Sequence, residues 1–183
     1  MKHDYQDLIT LFEQCFYQTF NTRLVKGGDE PLYLPASEQC SNHQIIFAHG
    51  FFASALHEIS HWCLAGDARR LLEDFGYWYL PDGRNAEQQK RFEQVEIKPQ
   101  AIEWAFCVAS GKRFSVSADN LNGVEADTVN FKRAVYQQVN IYIEQGFPVR
   151  AQTFIEALAN FYQVPLPLKL EHFLSEKELY EHI

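Results

Sequence analysis

From Tyr5 to Phe20 apolar side chains recur every three or four positions: Tyr5, Leu8, Ile9, Phe12, Cys15, Phe16 and Phe20. Asp4, Gln6, Asp7 and Glu13 face out. That period predicts an amphipathic helix with one face on a core. Asn21-Thr22-Arg23 reads as a break, and Lys26 to Pro31, with two glycines and a proline, as a turn. Leu32-Tyr33-Leu34 reads as a short strand, and the prolines on both sides make it an edge strand. Gln44 to Ala48 is a second short apolar strand. Phe51 to Ala65 is apolar nearly all round, the pattern of a buried helix, and Gly66 sits where a helix end favours glycine.

After Gly66, Asp67 is placed to cap a second short helix, Ala68 to Asp74, ended by Gly76. Tyr77 to Leu80 reads as an aromatic strand, and Pro81-Asp82-Gly83-Arg84 as a turn. A long helix is expected from Ala86 to Ser110, kinked or divided at Pro99. Phe114 to Ser117 reads as a strand and Ala118 to Asp127 as a polar loop. Two helices follow, Thr128 to Gln145 and Thr153 to Tyr162, with Gly146 and Pro148 stopping the first. The tail from Pro165 is expected to be loop and then a last helix. The fold class is therefore α+β, a mainly helical single domain over residues 1–183 with a small sheet.

Charge and composition narrow the function. A net charge of −8 argues against a surface built to grip nucleic acid. No apolar run reaches the ~18 residues of a membrane span, and no secretory signal is expected ahead of the first helix. Cys15, Cys40, Cys63 and Cys107 lack the Cys-x-x-Cys spacing of a metal or redox pair. They read as free thiols in a reducing, cytoplasmic setting.

The chemistry is concentrated in the buried helix. Its sequence Ala55-Leu56-His57-Glu58-Ile59-Ser60-His61-Trp62 contains His-Glu-x-x-His. Residues four apart share a helix face, so His57 and His61 can aim two imidazoles at one point. Glu58, turned by about 100°, flanks that point and can act on a bound water. Burying these groups is costly unless something satisfies them, and a metal does. A catalytic site needs a third protein ligand. Glu93, Glu96, Gln100 and Glu103 share one face of the long helix. Glu96, set among Phe92, Val95, Ile97 and Ile102, is the strongest candidate, and Gln100 could orient a histidine. Two histidines and a carboxylate suit hydrolysis with zinc or dioxygen chemistry with iron; spacing does not choose.

A wider set of segments does choose. His49-Gly50-Phe51, His57 to Cys63, Gly66, Ala68-Arg69-Arg70, Asp74 to Tyr79, Pro81 to Arg84 and Val95 to Gln100 resemble the elongation factor P hydroxylase family. Asn21 to Leu24 and Asp119-Asn120-Leu121 fit the same pattern, and the likeness spans roughly the first 160 residues. The resemblance implies a zincin-like outline and a non-haem iron protein-lysine hydroxylase of monooxygenase type. Its substrate would be the β-lysylated lysine of elongation factor P, with dioxygen as co-substrate. It implies Fe(II) at His57, His61 and Glu96; Glu58, the catalytic candidate beside them, would orient a bound water or the oxygen ligand or help with proton delivery. Zinc outcompetes Fe(II) at such a site, so it would be an adventitious occupant.

A lysyl-lysine side chain is long and multiply cationic, and calls for an acidic or aromatic channel. Asp82, Tyr77 and Trp78 are the candidates to line it. The Leu32 to Leu34 edge could receive a substrate loop by strand addition. The competing reading is a zinc peptidase or amidase with Glu58 as general base. Neither a nucleic acid nor a membrane is expected as partner.

Overall fold

The structure, a computed structural model, describes residues 2–76, 83–117 and 128–173. Helix α1 starts at Tyr5–Phe12, passes through a π-helical stretch, Glu13–Tyr17, and closes with Gln18–Phe20. Asp4 caps its start, accepting the Gln6 N–H at 3.0 Å. Asn21, left-handed at φ 47°, ends it.

A three-stranded sheet follows among the described residues: β1 (Thr22–Lys26), β2 (Leu32–Leu34) and β3 (His43–Phe47), in the order β1-β3-β2. β1 runs parallel to β3 and β2 antiparallel to it, with Tyr33 opposite Ile45. β2 is thus an edge strand, as its flanking prolines indicate. β1 replaces the expected break. Thr22 and Leu24 are buried and Arg23 is exposed, so a strand alternation is present, but in only five residues. Its parallel partner lies beyond β2 in sequence, so no local hairpin signal announces it.

The edge of β2 is closed. The outward N–H of Tyr33 donates to the Asp74 carboxylate at 2.8 Å, and the Tyr33 hydroxyl donates to the Arg70 carbonyl at 2.8 Å. Addition of a substrate strand there would have to displace Asp74. The segment that holds it is not the expected helix from Ala68 to Asp74. It is two tight turns, Arg69–Leu71 and Glu73–Gly76, with Asp74 and Phe75 both at positive φ. Asp67 bonds the Arg70 guanidinium at 2.6 Å.

Helix α2 (Phe52–Leu64) carries the His-Glu-x-x-His stretch. Helix α3 (Ala86–Ala109) is one continuous element with Pro99 inside it. Asn85 and Gln88 form a capping box at its start. Helices α4 (Thr128–Gln145) and α5 (Val149–Tyr162) complete the bundle. Pro148 caps α5, so the proline read as a stop also begins the next helix four residues earlier than the period suggests. α3 packs against α2, α4 and α5.

The core is aromatic. Trp62 is fully buried, and its ring meets Phe12, Phe16 and Phe20 at 5.1, 4.9 and 5.3 Å. Each such ring removes enough apolar surface from water to contribute about 1.5–3 kcal/mol, so α1 is pinned to α2 beside the histidines. Phe114 to Ser117 is irregular rather than a strand. Its backbone is satisfied by a side chain: Ser117 N–H donates to Gln100 Oε1 at 3.1 Å, and Gln100 Nε2 donates to the Ser117 carbonyl at 2.7 Å. Cys15, Cys40, Cys63 and Cys107 are free thiols, with Cys63 and Cys107 buried in the core. No helix among the described residues is long and apolar enough to cross a membrane.

Candidate metal centre

α2 and α3 meet at a cluster of His57, His61 and Glu96. The two histidines are four positions apart, so one turn of α2 stacks them, and their Nε2 atoms lie 3.1 Å apart. Glu96 comes from the facing side of α3. Its Oε1 is 3.2 Å from His61 Nε2 and its Oε2 is 3.5 Å from His57 Nε2. One donor atom from each residue lies within 4.8 Å of the others. Three donors converging from two rigid helices is the arrangement that holds a transition metal.

Two observations say that the cluster fits a cation. Glu96 is 1% exposed, and its Oε1 makes no hydrogen bond. His61 Nε2 at 3.2 Å is the ion-pair partner of that oxygen, and a buried carboxylate is costly unless positive charge faces it. The donor set of two imidazoles and a carboxylate also suits Zn or Fe(II).

The electrostatics agree. Burial opposes ionisation of Glu96, but the His61 and His57 charges beside it hold its carboxyl down at about 2. Burial likewise opposes the charged form of His57. The Glu103 carboxylate at 2.9 Å, helped by Glu96 and Glu58, overcomes this and pushes its pKa up to about 10. Burial pushes Glu58 up, as do the nearby charges of Glu96 and Asp74, while His57 and His61 pull it down. A carboxyl raised in this way can hold a proton beside the cluster.

Of the acidic candidates on α3, Glu96 is the one that meets the Nε2 atoms of both histidines. Glu93 accepts from Gln89 Nε2 at 3.0 Å instead. Glu103, two turns beyond Glu96, reaches His57 Nδ1 at 2.9 Å, on the ring edge opposite Nε2. Among the described residues Gln100 makes no hydrogen bond to a histidine; its Nε2 lies 3.4 Å from Glu96 Oε2 and its amide ties down Ser117. The seven-residue spacing of Glu96 and Glu103 was the available signal that both face α2. Tyr77, Trp78 and Asp82 lie outside the described residues. Arg84 is buried, donating from Nε to Gln89 at 2.9 Å with its guanidinium 3.8 Å above Phe92.

A cleft of about 360 Å³ opens between α2 and α3 with His61 in its wall. Leu64, Ala65, Val95 and Pro99 make up its apolar part, and His61, Gln94 and Lys98 stand in an equally large polar part. Pro99 has no N–H for the Val95 carbonyl one turn back.

The chain is also similar to known proteins. The family described as Elongation factor P hydroxylase matches residues 11–173. The chain is 56% identical over 173 residues to the Elongation factor P lysine hydroxylase of Haemophilus influenzae, covering 94% of this chain and 97% of that protein.

Proposed function

The chain belongs to the elongation factor P hydroxylase family, and from that premise we propose how its helix pair does the chemistry. The protein is a protein-lysine hydroxylase acting on elongation factor P. Its substrate is the β-lysylated form of the target lysine, and the whole chain works as one hydroxylase domain in the cytoplasm, where translation factors act. His57, His61 and Glu96 hold Fe(II). The observation that carries this reading is the convergence of donor atoms of His57, His61 and the buried Glu96 within 4.8 Å of one another.

Iron bound there would supply activation of dioxygen, which places one oxygen on an unactivated carbon. The remaining work belongs to side chains. Glu96 brings the negative charge that offsets the cation. Glu58, its pKa raised by burial, holds and passes a proton at the edge of the cluster. Buried Leu56, Ile59 and Ile102 help keep bulk water away. The cleft beside His61 takes the methylene stem of the substrate along Leu64, Val95 and Pro99. Hydroxylation of one C–H bond consumes one dioxygen, two electrons and two protons, and releases one water, so a reductant takes part.

The test is the intact mass of lysylated elongation factor P after incubation with the protein, Fe(II), air and a reductant. A gain of one oxygen atom that requires His57 supports the reading. An unchanged mass from iron-loaded protein contradicts it, and cleavage fragments would point to the zinc hydrolase instead.

A further inference from the structure

We propose that Glu103 is a positioning residue for the metal centre, holding His57 in the tautomer and orientation that turn Nε2 toward Glu96 and His61. This inference rests on the metal-site reading above and adds a residue to it.

The geometry is specific. Glu103 Oε2 lies 2.9 Å from His57 Nδ1. A carboxylate only accepts, so Nδ1 must carry the hydrogen. In a neutral imidazole that leaves the lone pair on Nε2. Nε2 is also the atom 3.1 Å from His61 Nε2 and 3.5 Å from Glu96 Oε2. Because Glu103 meets the opposite edge of the ring, it is not placed to share the metal with Glu96. It is 8% exposed, so its contact with His57 is little screened by water.

The two histidines are thereby unequal. Among the described residues, no carboxylate lies within the 4.0 Å ion-pair distance of His61 Nδ1; its close contacts run through Nε2 to His57 and Glu96. His61 also borders the cleft, whereas His57 is gripped from behind by α3. One helix therefore supplies both a ligand and the clamp on a second ligand, and His57 is the anchored donor.

The test uses the full chain loaded with Zn(II) and, separately, with Fe(II). Affinity is read by competition with a chelator, and the His57 Nδ1 proton by NMR of the Zn(II) form. Removing such a carboxylate typically lowers metal affinity roughly 10–100-fold, and E103A is expected to fall in that range. Wild type should show a strongly downfield Nδ1 proton that E103A lacks. E103Q keeps an accepting oxygen but not the charge, so it should restore most of the affinity and retain the proton at a less downfield position. Wild-type affinity in E103A, or an unmoved Nδ1 proton in E103Q, overturns the proposal. If E103A does not fold, E103Q alone decides. A wild-type metal content that survives H57A would overturn the site itself, which separates that failure from this one.

Discussion

Glu96 Oε1 stands 3.2 Å from His61 Nε2, is buried, and makes no hydrogen bond. Among the described residues, the ion-pair partners of this carboxylate in metal-free protein are His57 and His61. Its pKa, held at about 2 against an ordinary 4.5, makes a contribution to stability that is complete above 4.5 and lost as pH falls toward 2. His57, raised to about 10 from 6.5, contributes fully below 6.5 and loses the contribution as pH rises toward 10. The stability gap between metal-free wild type and E96Q should therefore be widest between these two ordinary values and shrink at both ends. Urea unfolding across pH measures it, and a gap that does not vary with pH contradicts the assignment.

Loading the metal reverses the role of His57. A ligating imidazole must be neutral, so uptake displaces a proton and apparent affinity rises with pH. Calorimetry in buffers of different ionisation enthalpy should show proton release at neutral pH. Uptake without protons would mean that His57 does not ligate.

Ligands and proton carrier separate by substitution. H57A, H61A and E96A should each lose the metal on dialysis. E58Q should keep it and lose activity by roughly 10²–10⁴-fold, the usual loss for a proton-transfer group. Metal analysis and turnover on the same samples distinguish the classes. Full activity in E58Q would leave Glu58 without a catalytic role.

Arg150 reaches from α5 to the end of α2. Its guanidinium lies 4.6 Å over Trp62 and donates to the Cys63 carbonyl at 3.1 Å and to the Ala65 carbonyl. Arg70 also donates to Ala65, at 2.9 Å, so only the Cys63 carbonyl depends on Arg150 among these bonds. Arg150→Met keeps most of the stem and should cost about 1.5–3 kcal/mol, the scale of one hydrogen bond from a charged donor. Urea denaturation of the metal-free protein checks this, and unchanged stability would show that the cap contributes nothing.

Asp74 and Phe75 are both left-handed, which costs roughly 1–2 kcal/mol each. The Asp74 bond to Tyr33, the stacking of Phe75 on Tyr33 at 4.1 Å and the Arg69 bond to the Phe75 carbonyl at 3.0 Å offset that cost. Asp74→Ala removes one of these and keeps the strain, so it should destabilise by about 1.5–3 kcal/mol. A neutral or stabilising effect in thermal unfolding would contradict this account of the turn.

The helices were legible because each is long enough to show its period, as with Tyr5 to Phe20, or is apolar throughout, as with Phe52 to Leu64. The histidine pair was legible because a helix converts a spacing of four into adjacency. β1 was not, since parallel pairing leaves no mark in neighbouring residues. Nor was the turn at Asp74, where a hydrogen bond from the distant Tyr33 overrides local propensity. The assignment of Glu103 to His57 and Gln100 to Ser117 depends on how α3 is rotated against α2, which a shared helical face leaves undetermined.

The most direct measurement is the mass of lysylated elongation factor P hydroxylated under isotopically heavy dioxygen in ordinary water, with wild type and E96A compared at equal added Fe(II). The account predicts one heavy oxygen atom in the wild-type product and none with E96A. Oxygen taken from water, or equal product from E96A, would contradict a dioxygen-dependent centre at His57, His61 and Glu96.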